Sequence, residues 1–314
     1  MFSYFLKRLI AAIPVALSVT IICFLLVQIA PGDPLSLVLP SDATQEQIDV
    51  ARAHYGLDKP LVVQYILWLG NVLVGDFGTS IASGRPVLSE ITNALVYSIQ
   101  LAALASFISV IFGVFLGLIA GYKVGSWVDK VVSSIAIAGV SIPHYWLGIV
   151  LVVIFSAELN LLPAMGAARG DTPEIQDILM HMILPVFTLS AMPIGIIARS
   201  VRSLAAETLG KDFIVSLISR GLSDFTIFIH VFKNIAPTTL AVIGVQVGYL
   251  MAGSILVETV FAWPGTGTLL SQAILQRDLP VLQGTIMVLA LIFVGLNLLV
   301  DILQPLFDPR IKRL

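Results

Sequence analysis

The 314-residue sequence predicts an all-α integral membrane protein of six transmembrane helices, with an external subdomain and a long helical loop on the cytoplasmic side. Three observations predict it. Hydrophobic residues make up 58% of the chain and charged residues only 11%, with a mean hydropathy of +1.00. A water-soluble domain cannot hide that much apolar surface. Six apolar runs, at about 9–30, 96–121, 131–157, 181–198, 237–257 and 281–303, are long enough to cross a bilayer. Basic residues then gather on alternate connections, which sets the orientation. The net charge of −2 suggests no nucleic-acid partner. The single cysteine, Cys23, cannot form an internal disulfide.

The first run, Leu9–Ala30, covers about 33 Å and is longer than the apolar region of a signal peptide, so the sequence predicts a retained span. With both termini inside, the cytoplasmic segments hold Lys7, Arg8, Lys123, Lys130, Arg199, Arg202, Lys211, Arg220, Lys233, Arg310, Lys312 and Arg313, which is 12 of the 17 basic residues. Only Arg52, Lys59, Arg85, Arg169 and Arg277 fall outside. The chain thus divides into a cytoplasmic N-terminus with the first span (1–30), an external segment (31–95), a five-helix core (96–305) and a C-terminal tail (306–314). In the external segment Asp42 is read as capping a helix over Ala43–Tyr55, with Gln45 as its capping-box partner and Gly56 as its stop.

Within the core, Gly113, Gly117 and Gly121 recur every four residues, and Gly125 continues the spacing. Gly244, Gly248 and Ala252 repeat it in the fifth run. Small residues at that interval let helices approach closely, so both stripes are assigned to helix packing. The fourth run is short and interrupted by Pro185 and Pro193. After it comes a polar, basic loop, residues 199–236, in which Gly221 separates two helix-like pieces, Asp212–Arg220 and Ser223–Asn234. Only glycine turns such a corner without a Cβ penalty.

No P-loop, no His-Glu-x-x-His and no Gly-x-Ser-x-Gly occurs, and the four histidines lack metal-ligand spacing. An enzyme reading has nothing to build on. Polar residues inside the spans are the better lead, because they are costly in lipid and usually face a bundle interior or a pathway. His144, Gln246, Ser254 and Asn297 are the pathway candidates, with a packing role open for each; Asp301 is set aside as a partner for Arg310 or Lys312.

Ten segments in order carry a specific likeness. They include Pro31-Gly32-Asp33-Pro34, Tyr55-Gly56-Leu57-Asp58-Lys59-Pro60, Gly75-Asp76-Phe77-Gly78, Leu162-Pro163-Ala164-Met165-Gly166, Phe261-Ala262-Trp263-Pro264-Gly265-Thr266-Gly267 and Asp308-Pro309-Arg310-Ile311. Over its whole length the chain resembles the inner-membrane permease subunits of ABC importers for dipeptides and oligopeptides, a group that includes nickel and glutathione importers. The resemblance implies a coupling-helix loop that fits a groove on an ATPase subunit, through Asp212, Phe213, Ser216, Leu217, Arg220, Gly221 and Leu222. It also implies a distinct sister permease, two ATPase subunits that bind ATP and Mg, and an external substrate-binding protein, with no cofactor in this chain. The external segment is then either a solvated face or a subdomain that receives the delivery protein or gates the pore. The sequence departs from the importer pattern ahead of the glycine, where Val215-Ser216-Leu217 replaces Glu-Ala-Ala, so docking should lean on apolar fit. A secondary transporter would show internal repeats and paired carboxylates, and neither is seen. Peptide, glutathione and nickel substrates all stay open, with a di- or oligopeptide favoured.

Overall fold

The computed structural model describes residues 2–29, 39, 43–54, 58–168 and 174–307. Among them the chain is helical, and strand-like pairing is confined to a single bridge between Thr79 and Pro86. The order is α1 (Phe2–Ile29), α2 (Gln45–His54), α3 (Leu61–Leu73), α4 (Val87–Tyr122), α5 (Trp127–Ser141), α6 (His144–Leu151), α7 (Ile175–Leu209), α8 (Asp212–Ser219), α9 (Asp224–Val260), α10 (Thr266–Gln276) and α11 (Leu279–Phe307). A π-helical stretch, Val152–Glu158, prolongs α6. Helices α4, α7, α9 and α11 are each long and apolar enough to cross a membrane, and α5 with α6 would make a fifth crossing.

Several boundaries differ from the sequence reading. The third apolar run is not a rod, because α5 and α6 meet at 101°. Pro143 causes the elbow: it lacks an N–H and pushes Ile142 out of the helical region, to φ −79°, ψ 124°. Conversely, Pro185 and Pro193 do not break α7, which runs unbroken for 35 residues. Both prolines are buried, and packed neighbours stabilise the helix where its ladder loses a bond. The connection expected over 199–236 is itself largely helical, since α7 extends to Leu209 and α9 starts at Asp224. Helix α4 likewise begins at Val87, ahead of its apolar run, because Val87, Ile91 and Ala94 are buried at helical spacing. The capping box of α2 is Thr44 with Gln47: the Gln47 N–H donates to Thr44 Oγ1 (3.4 Å) and the Thr44 N–H to Gln47 Oε1 (2.9 Å). Asp42 and Gly56 lie outside the described residues.

The glycine stripes do form interfaces. A Cβ on Gly113 would meet Ile197 at 2.8 Å, one on Gly117 the Ala198 carbonyl at 2.6 Å, and one on Gly121 Ala205 at 2.7 Å. The three thus let α4 lie directly against α7. Gly244 and Gly248 do the same for α9 against Val300 and Phe293 of α11. Gly125 does not extend the first stripe. Its φ of +80° makes the turn between α4 and α5. Among the described residues the core falls into three buried clusters: one where α4, α6, α7 and α9 meet, one around the α7–α8–α9 turn, and one where the start of α4 meets α10 and α11.

Candidate functional site

The α8 turn is a compact hook. Helix α8 ends at Ser219, and Gly221 follows at φ +74°. The Gly221 N–H bonds the Ile218 carbonyl (2.9 Å) and the Leu222 N–H bonds that of Leu217 (3.3 Å), the paired closure of a Schellman motif. Ser223 then caps α9 by accepting from the Thr226 N–H at 3.4 Å. The seven residues expected to couple fall on two sides. Ile214 is buried, and Phe213, Leu217 and Leu222 pack beside it against Ile227 and Val231 of α9. Asp212, Ser216, Arg220 and Gly221 face outward. The exposed apolar surface comes instead from Val215 and Ile218, each 58% exposed, and Phe225, 72% exposed. Sequence reasoning missed these three because periodicity shows that a face is apolar, not whether the core or the outside takes it.

An ion pair not foreseen from the sequence braces this end. Asp129, in the first turn of α5, receives both Arg202 Nε and Arg202 Nη2, the latter at 2.7 Å. It also accepts from the Gly125 N–H (2.9 Å) and from Ser133 Oγ (3.3 Å). The Arg202 fork and the Gly125 N–H together satisfy both oxygens of the carboxylate. Arg202 lies on the stretch of α7 that leads to the hook, so the pair ties the α4–α5 corner to it. The signal was local: Ser126 three residues before Asp129 reads as a helix start. Asp129→Asn should cost roughly 1–2 kcal/mol, less than a fully buried pair, because the Arg202 side chain is 32% exposed. Thermal melting of the purified protein reads that loss, and an unchanged melting temperature in Asp129→Asn would show that the pair does not brace this end.

The polar residues of the spans separate as well. His144 sits at the α5–α6 elbow in a small pocket shared with Tyr249 and Leu250 of α9. Gln246, Leu250 and Ser254 lie at four-residue spacing on one face of α9. Gln246 is 8% exposed, and its Oε1 has no partner among the described residues. Ser254 is fully buried and donates to the Met251 carbonyl at 3.3 Å. Of that face, Leu250 is the residue that meets His144, beside Leu189 and Met192 of α7. Asn297 does not join them. It donates to Phe293 O (2.9 Å) and lines a separate groove of about 750 Å³ between α1 and α11.

The Phe261–Gly267 segment proves to be a buried corner. Fully buried Glu258 accepts from the Gly267 N–H (2.6 Å) at the start of α10, while the Thr266 N–H donates to Ser98 of α4 (2.8 Å). A Cβ on Gly267 would meet Ile255 and Glu258, so the glycine is required for close approach. Nearby, Asp278 caps α11 through the Val281 N–H (3.3 Å) and holds the Ser80–Ala82 turn.

Comparison with known proteins places this architecture. The profile described as binding-protein-dependent transport system inner membrane component matches residues 113–313, and its N-terminal companion matches residues 1–102. The chain belongs to this family. The permease is 41% identical over 309 residues to a putative peptide transport system permease protein of Brucella abortus, covering 98% of both chains. It is 36% identical to a dipeptide transport system permease protein of Alkalihalophilus pseudofirmus over 332 residues, 99% of this chain and 100% of that one. It is 37% identical to a glutathione transport system permease protein of Salmonella choleraesuis over 313 residues, 99% of both. The permease is therefore a multi-pass inner-membrane subunit of a binding-protein-dependent importer, a system that also includes ATPase and substrate-binding proteins.

Proposed function

We propose that the permease forms half of the translocation pathway of an ATP-driven importer of di- or oligopeptides, and that the α8 hook is where the ATPase subunits act on it. The carrying observation is the outward apolar surface of Val215, Ile218 and Phe225 on a turn locked by Gly221. Both helices leaving the hook, α7 and α9, are unbroken, and α9 carries Gln246 and Ser254, so a push at the hook is passed along continuous helix to those pathway candidates. In this reading six spans are made by α1, α4, α5–α6, α7, α9 and α11, with both termini cytoplasmic as the basic residues favour. The parts are the first span (1–30), an external subdomain (31–95), the permease core (96–305) with its coupling loop (199–236), and the tail (306–314).

The other half of the pathway is a distinct sister permease, making a heterodimer served by two ATPase subunits and an external binding protein. ATP hydrolysis belongs to those ATPase subunits, where ATP and Mg bind. Their closure biases a bistable bundle from inward- to outward-facing. Peptide is the favoured cargo because the relatives are named for peptides, dipeptides and glutathione, itself a tripeptide. The test is a cross-linking and sidedness experiment in whole cells. Cysteines at Val215 and Ile218 should cross-link to the ATPase subunit. Ser223→Cys should be labelled only from the cytoplasm and Ser83→Cys only from outside. Labelling of Ser223→Cys by an impermeant external reagent, or peptide uptake indifferent to ATP, overturns the reading.

A further inference from the structure

Helix α3 is apolar apart from the amides Gln64 and Asn71, which share one stripe, and it buries no residue. From Leu61 to Gly75 the chain carries no charge. One face, Tyr65 and Trp68, is turned to α1: the Tyr65 hydroxyl lies 2.7 Å from Thr20 Oγ1, and the Phe24 ring sits 5.5 Å from Tyr65 and 5.8 Å from Trp68. The opposite face, with Val62, Ile66, Leu67 and Leu73, is exposed. An exposed apolar face of this size calls for cover by protein or lipid, and the described residues cover only the Tyr65–Trp68 side.

Its depth follows from α1. At 1.5 Å per residue the 28 residues of α1 span about 42 Å, roughly 12 Å more than the hydrocarbon core. Thr20 lies about 14 Å short of the end of α1. Even if the whole overhang projected at that end, Thr20 would still sit within the hydrocarbon. Tyr65, bonded to it, is carried to the same depth. The Tyr65 hydroxyl is satisfied there by Thr20, and Gln64 Nε2 by the Lys59 carbonyl at 2.7 Å, as lipid burial requires. Lys59 and Asp76 bracket the uncharged stretch and mark where the chain returns to water.

We propose that α3 is a monotopic helix embedded in the leaflet around the C-terminal half of α1, with lipid acyl chains covering its Val62–Ile66–Leu73 face. Part of the segment between the first two spans is then a membrane anchor rather than a solvated loop. The proposal rests on α1 crossing the bilayer, as in the function proposed above, and the test separates the two.

The experiment uses the assembled importer in liposomes, with Cys23→Ala as background and single spin-labelled cysteines at Ile66, at Leu17 on the exposed side of α1, and at Glu46 on α2. Collisions with oxygen report lipid, and collisions with a water-soluble nickel complex report water. The Ile66 label should favour oxygen several-fold, matching Leu17 and opposite to Glu46. An Ile66 label dominated by the nickel complex overturns the proposal in favour of a solvated helix. One shielded from both probes overturns it in favour of cover by the sister permease or binding protein. If Leu17 itself reads as water, the span reading of α1 fails and the anchor falls with it.

Discussion

Replacing Gly221 by valine is expected to collapse substrate uptake while the permease stays in the membrane at normal abundance. The residue sits at φ +74°, where a side chain carries a strain of roughly 1–2 kcal/mol. A Cβ there would meet nothing within 4 Å, so the effect is conformational and not a packing clash. Relief of the strain must come from the φ of Gly221, which breaks the two closing bonds to Ile218 and Leu217 and re-aims Val215, Ile218 and Phe225. A bias of that size alone shifts the competent population by about 5–30-fold. Ile214 and the α7–α9 contacts beneath the hook are untouched, so insertion and pairing should survive. Reconstituted uptake and ATPase assays read the result: stimulation by the loaded binding protein should vanish, while hydrolysis by isolated ATPase subunits is unchanged. Valine should act more strongly than alanine because β-branching narrows the backbone further. Normal coupling in Gly221→Val at normal abundance would return α8 to a purely structural role.

Gly117→Leu should have the larger effect on the fold itself. Its Cβ would lie 2.6 Å from the Ala198 carbonyl and 2.7 Å from Val201 Cβ, and a backbone oxygen cannot swing aside as a side chain can. Helices α4 and α7 must therefore separate along their length, where the Gly113, Gly117 and Gly121 contacts hold them. Overpacking of a rigid site costs about 1–3 kcal/mol, and this interface is at the upper end because the clash is with backbone. The purified protein should melt at a clearly lower temperature and its membrane level should fall. Gly295→Leu is the control, since a Cβ there meets nothing within 4 Å. Wild-type melting in Gly117→Leu would show that α4 and α7 are not in contact in the membrane.

Much of this was readable from local pattern. Apolar runs mark membrane helices because lipid imposes length and hydrophobicity on each one separately. The four-residue glycine spacing marks a helix contact because it lies on one helix face, although only the fold identifies α7 and α11 as the neighbours. Gly221 was legible because a helix stop is a matter of a few bonds. Pro143 and Pro185 show where such reading ends. The same residue makes a 101° elbow in one place and sits inside an unbroken helix in the other. The difference is whether packed neighbours oppose the break, which no local pattern carries.

By itself, then, the sequence determined the helical class, the membrane setting, the glycine-led hook and the packing stripes, all of them set by composition or by residues a few positions apart. Only the tertiary structure decided that Arg202 clamps Asp129 from another helix, that Glu258 caps α10 while Ser98 holds it to α4, and that Asn297 lines a groove apart from the His144 pocket. It also decided that Val215 and Ile218 face outward while Leu217 faces the core. These are contacts between distant segments. Each polar group in a nearly waterless interior must take whatever partner the packing brings within reach, and that partner is chosen by how the helices cross, not by what precedes it in the chain.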